Sequence, residues 1–210
     1  MRSGKRTSVG AVAVMAALAF WSAAASAQTP ATMPAVSAAA VPMGEARPIA
    51  AWVTFCQTNA VECAVDVAEP AIIALTPAIW STVVSVNRRV NKTIRAVTDL
   101  DHWNTPDRWD LAEDGAGDCE DFQLLKRKML ATAGLPRRAM RMTVVIDEKG
   151  EGHAVLTLVT DRGDYILDNK TNDILPWYRT GYIFIKRESQ AVVAWVSLGG
   201  VSSPVTTANR

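Results

Sequence analysis

Histidine is almost missing from this chain: two occur in 210 residues, and cysteine occurs only three times. Neither is spaced for zinc, because no second Cys or His lies at ligand spacing from Cys119. An excess of one charge is also lacking. With 22 basic and 21 acidic residues, net +1, no clustered basic face is available to grip nucleic acid or anionic lipid. Long hydrophobic runs are absent as well. The stretch Val9 to Trp21 is too short to cross a hydrocarbon core about 30 Å thick, and no later segment is longer and apolar. No internal repeat is visible.

What is present begins with an address. Arg2, Lys5 and Arg6 precede the short apolar run, and Ala25-Ser26-Ala27 supplies small residues for cleavage. Residues 1–27 therefore read as a signal peptide, and the mature chain, starting near Gln28, is expected in the periplasm or secreted, with no membrane span. Loss of three basic and no acidic residues moves the net charge to −2. Residues 28–48, rich in Ala and Pro, are expected to form a flexible leader. Residues 49–198 make one domain, and 199–210 a C-terminal tail. Cys56 and Cys63, seven apart in FCQTNAVEC, suit a small disulfide-closed loop in an oxidising compartment, the alternative being two buried thiols. Cys119 is then left unpaired.

A first helix is expected over about Ile49 to Thr58. A stronger one starts at Thr76-Pro77, a cap followed by proline, and runs to about Thr98. Val83, Val86, Val90, Ile94 and Val97 form its buried stripe, and Asn87, Arg88, Arg89, Asn91 and Lys92 fall mostly on a solvated face. The stretch DLDHWNTPDRWDLAEDGAG has no period and reads as a long functional loop. A third helix starts at Asp118 or Cys119 and stops before Gly134-Leu135-Pro136. Its inner stripe is Phe122, Leu125 and Met129, with Lys126, Arg127 and Lys128 outside. The period then changes to two. Residues 140–146, HAVLTLV and DYILD read as strands, the last two joined by a tight turn at 160–163, and YIFIKR and VVAWV add two more. Helices first and a mostly antiparallel sheet afterwards define an α+β domain.

Asp118 can cap the third helix, with Asp121 as the acidic partner of a capping box. Cys119 then sits on the first turn, where free amides and the helix dipole favour a thiolate. A buried, inert cysteine is the plainer reading of that position. Gly115 and Gly117 upstream permit close backbone approach. His153 opens one strand and Asp168 closes the next. A hairpin turning at 161–162 puts His153 opposite residues 168–170, within reach of the Asp168 carboxylate. That pair would leave the second imidazole nitrogen for Cys119, completing a nucleophile, base and orienter. His102 has no such partner and reads as a loop residue.

GDCEDFQLLKRKML together with GHAVLTLVTDRGDYILDN resembles the bacterial transglutaminase-like cysteine proteinase family, from about Trp52 to Trp195. The resemblance implies a papain-like, transglutaminase-like core with N-terminal helices packed on the sheet, and Cys119, His153 and Asp168 as triad. It also implies a protein substrate. The best understood relatives are periplasmic proteases that clip surface adhesins under control of an inner-membrane receptor. Phe122 stands where tyrosine is frequent in the family, and WDLAEDGAG where many members have a proline-containing run.

Glu113, Asp114, Asp118, Glu120 and Asp121 crowd the nucleophile, and their charge disfavours a thiolate. A hard cation would offset this, and oxygen ligands suit calcium; plain capping and solvation is the alternative. By resemblance the calcium ligands are Asp118 and Glu120. A backbone N–H at Cys119 is a natural oxyanion donor; for a second, Trp103 and Trp109 are the nearest suggestions. The expected reaction is amide hydrolysis through a thioester. Amine transfer, as in a true transglutaminase, uses the same triad, and a non-catalytic periplasmic adaptor is the third reading.

Overall fold

The computed structural model describes Met1 and residues 31–200. The expected signal peptide, the first residues of the leader and the tail beyond residue 200 lie outside the described residues. In chain order the elements are β1 (Glu45–Ala46), α1 (Ala50–Thr58), α2 (Ala60–Cys63), α3 (Pro77–Thr93), β2 (Arg95–Ala96), α4 (Asp99–Trp103), β3 (Ala116–Gly117) and α5 (Cys119–Thr132). They continue with β4 (Met140–Ile146), β5 (Gly152–Thr160), β6 (Gly163–Leu167), β7 (Leu175–Pro176), β8 (Ile183–Glu188) and β9 (Trp195–Ser197). Seven strands form one antiparallel sheet in the order β1-β9-β8-β4-β5-β6-β7, and the α+β expectation holds.

One face of the sheet packs against the helices. Trp52 and Phe55 of α1, Trp80, Val83, Val86 and Val90 of α3, and Phe122, Leu124 and Leu130 of α5 meet Met140, Met142, Val144, Leu156, Leu158 and Leu167. Period-two alternation sends Val145, Val155, Ile166 and Phe184 to the other face, where they form a second, smaller core. The Cys56–Cys63 disulfide is present and ties α1 to α2. Among the described residues, no helix is long and apolar enough to cross a membrane.

Three local expectations are corrected. Residues 31–46 are not a free leader: they cross the second face as a strap. The Ser37 amide donates to Arg162 O (2.7 Å), the Asp164 amide to Ala38 O (3.2 Å), and the Ala40 amide to Asp164 Oδ2 (3.0 Å), before β1 pairs with β9. An Ala- and Pro-rich run has no helical period because it is used extended, its amides satisfied by the sheet. Secondly, α3 ends at Thr93, so Val97 is not on its stripe; the chain leaves extended, with Arg95 N bonded to Gly115 O and Val97 N to Gly117 O.

Thirdly, Lys126 and Arg127 are fully buried instead of outward-facing, as is Asn87 of α3. Arg127 meets Glu188 at 2.5 Å and the Glu62 carbonyl at 2.8 Å; Asn87 donates to Asn172 O. Helix α5 is enclosed by α3 and the sheet, so Lys126 and Arg127 find their partners inside the fold. Leu125 and Met129, expected inside, are half-buried.

Candidate active site

The segment read as one long loop is organised by its ends. Thr98 caps α4 by accepting the Asp101 amide at 3.1 Å, and β2 pairs in parallel with β3. This pairing delivers Gly117 and Asp118 to the start of α5. Gly117 is needed for a reason other than substrate approach: a Cβ there would sit 2.6 Å from Asp121 Oδ2. That oxygen accepts the Asp118 amide (3.3 Å), while Asp121 Oδ1 accepts the Asp110 amide (2.7 Å). Asp121 thus staples the preceding loop to the helix start.

Cys119 is the first residue of α5 and is fully buried. Its thiol donates to Glu120 Oε2 at 3.1 Å and lies against the Ala154 backbone amide, next in sequence to His153. Burial, and then the charges of Glu120 and Asp118, push the thiol well above its ordinary range. The helix terminus, expected to favour the thiolate, is outweighed by these acids and by desolvation.

His153 and Asp168 meet diagonally at the end of the β5–β6 pair. The β5–β6 register pairs Leu156 with Leu167 and Thr160 with Gly163, and His153 Nε2 lies 2.9 Å from Asp168 Oδ1. Both side chains are buried. Asp168 Oδ1 also takes the Lys170 amide (3.0 Å), and its Oδ2 takes the Tyr182 hydroxyl (2.7 Å). Burial works against the Asp168 carboxylate, but His153 and these donors hold it below the usual range. With Nε2 committed to Asp168, Nδ1 is the imidazole nitrogen left for a thiol. The structure therefore joins two of the three expected residues by a hydrogen bond and brings the third to the backbone beside them; among the described residues, no hydrogen bond joins Cys119 to His153.

Beside the thiol is a buried acidic cluster. Asp99, Asp107 and Glu120 offer carboxylate oxygens within 4.8 Å of one another, and so do Asp99, Asp118 and Asp121. Asp99 Oδ1, both oxygens of Asp118 and Glu120 Oε1 are buried without a hydrogen-bond partner. Desolvation comes first, and mutual repulsion adds to it, in raising Asp118 to about 7, Asp121 to about 9, and Glu120 well above its ordinary range. Glu113 and Asp114, also expected near the nucleophile, are exposed; Glu113 pairs with Lys128 (2.6 Å).

His102 does have a carboxylate partner, Asp114 at 2.8 Å, and stacks on Trp103 at 4.0 Å. That pair is separate from the His153–Asp168 hydrogen bond, with Asp114 half-exposed. Trp109 is buried against Trp195, in the core. Sequence reasoning missed Asp99, Asp107, Tyr182 and Gln123. Gln123, one turn beyond Cys119, is fully buried with neither amide atom bonded, and its i+4 spacing from Cys119 was a readable signal.

The chain matches the bacterial transglutaminase-like cysteine proteinase family over residues 43–203. It belongs to that family, and is thus a transglutaminase-like cysteine peptidase. Among solved structures it is similar to calcium-bound Legionella pneumophila LapG, with 24% identity and a TM-score of 0.50 over 61% of this chain and 74% of that one. A second LapG structure from the same organism gives 24% identity and a TM-score of 0.49, over 59% and 71%. No curated protein matches.

Proposed function

We propose that this chain is an exported peptidase that hydrolyses peptide bonds through Cys119, His153 and Asp168. The observation that carries the reading is the buried His153–Asp168 hydrogen bond at 2.9 Å, set beside the strand backbone that touches the Cys119 thiol. Asp168 orients the ring and stabilises the imidazolium. His153 takes the thiol proton as sulfur attacks the amide carbonyl, then gives it to the departing amine. A water adds to the thioester, releasing the acid and restoring the thiol. The Cys119 amide, on the open first turn of α5, is suited to the oxyanion, with Gln123 Nε2 as the candidate second donor.

Calcium suits the acidic cluster, because four buried carboxylate oxygens there lack a hydrogen bond. Asp118 and Glu120, joined by Asp99 and Asp107, would hold it. Bound there, it would neutralise the charge that disfavours the Cys119 thiolate. The calcium-bound LapG structure is consistent with such a site in the family.

The signal sequence and the Cys56–Cys63 bridge support a periplasmic or secreted location. The substrate is then an exported protein, with a surface adhesin the reading that the family resemblance favours and an inner-membrane receptor as regulator. A thiol-reactive probe tests the centre: rapid labelling at Cys119 that is lost in His153→Ala supports it. Equal labelling in both proteins favours a non-catalytic adaptor.

A further inference from the structure

Tyr182 precedes β8, two strands away from the one that carries His153, since the sheet runs β8-β4-β5-β6. Its hydroxyl donates to Asp168 Oδ2 at 2.7 Å, and its ring meets the His153 ring edge-on, centroids 5.8 Å apart and planes at 82°. One side chain thus touches both members of the pair. We propose that Tyr182 is a positioning residue of the peptidase centre, holding the Asp168 carboxylate and the His153 imidazole in a single orientation. The inference rests on the triad reading above.

The carboxylate has two oxygens, and each has its own donors. Oδ1 receives His153 Nε2 and the Lys170 amide; Oδ2 receives the phenol. Without the phenol one oxygen is released, and the carboxylate is free to turn about its Cβ–Cγ bond and drag the imidazole with it. Tyr182 is itself anchored, with its amide on Thr180 Oγ1 at 3.2 Å and Lys170 Nζ above its ring at 5.9 Å. Burial first, and then the Asp168 carboxylate, push its hydroxyl above the ordinary tyrosine range. It therefore stays protonated, and a donor, around neutral pH. The alternative is that Tyr182 only packs against the small core of Val145, Val155, Ile166 and Phe184. Tyr182→Phe separates the two, because it keeps the ring and removes only the hydrogen bond.

The test uses the full mature chain with calcium present. One measurement is the alkylation rate of Cys119 by iodoacetamide; the other is the ring ¹⁵N shifts of His153, which are readily assigned with only two histidines in the chain. A hydrogen bond to a charged group is strong enough that its loss should slow alkylation about tenfold. The wild-type ring should show the Nε2–H tautomer alone, and the Tyr182→Phe ring a mixture, in a protein that stays folded with a melting temperature lowered by only about 5 °C. Wild-type alkylation and a single tautomer in Tyr182→Phe would overturn the proposal. Tyr182→Leu, which also removes the ring, should be at least as slow. His153→Ala is the control for the triad reading: if it alkylates as fast as wild type, that reading fails; if it is slow while Tyr182→Phe matches wild type, only this inference fails.

Discussion

The Cys119 thiol donates to Glu120 Oε2 at 3.1 Å, so the candidate nucleophile is hydrogen-bonded to a carboxylate of the acidic cluster. The cluster's electrostatics therefore act directly on the sulfur. Whatever neutralises Glu120 changes the thiol too.

Stability should depend on pH and calcium together. Asp118, Asp121 and Glu120 titrate higher in the fold than their ordinary values of 3.8, 3.8 and 4.5. A raised carboxyl contributes stability that is full below its unfolded value and lost as pH rises through its folded one. With chelator, the melting temperature should fall by roughly 5–10 °C as pH rises from about 5 to about 9, most steeply below pH 7, where all three carboxyls lie between their ordinary and their raised values. Calcium should flatten that slope, since the metal needs the ionised forms. Thermal melts across this range with and without chelator would show it; identical slopes would argue against a metal at this site.

The strap gives a second prediction. Ser37, Ala38 and Ala40 exchange hydrogen bonds with Arg162 and Asp164, and Arg187 joins Asp164 at 2.8 Å beneath them. Removing residues 31–46 should lower the melting temperature by at least about 5 °C, through lost backbone pairing and the exposed Asp164–Arg187 pair. A free leader could be removed without effect.

A third concerns Lys126, whose amine donates to the Asp168 carbonyl at 2.9 Å from a fully buried position. Burial lowers it to about 7 from 10.5, with the Asp168 charge opposing. A depressed amine costs stability in full below about pH 7, and the cost fades as pH rises toward 10.5. Lys126→Met should therefore raise the melting temperature at pH 6, by roughly 5 °C, and by less at pH 10. It should also slow alkylation of Cys119, because only Asn91 Nδ2, at 2.9 Å, remains on that carbonyl. Equal stability changes at both pH values would contradict this account of Lys126.

Much of the scaffold was legible because its signals are local. Thr76-Pro77 announces α3, Asp118 and Gly134 bracket α5, and the turn at 160–163 sets the register that brings His153 to Asp168. The rest depends on partners distant in sequence. Lys126 reads as a surface residue until β6 is seen to end above it. Tyr182 reads as an ordinary strand aromatic until the end of β6 is found to carry Asp168 to its hydroxyl. Asp99 and Asp107 join Glu120 only because the parallel β2–β3 pairing folds their segment onto the start of α5. The strap has no periodic signature, since its contacts are made by backbone groups that composition does not reveal.

The most direct test compares the N-termini of exported and surface proteins in cells carrying the wild-type chain with those in cells carrying Cys119→Ala. If Cys119 is the nucleophile, at least one new N-terminus appears only with the intact cysteine, while the variant accumulates folded at the wild-type level. The same cleavage in the Cys119→Ala cells would contradict that assignment.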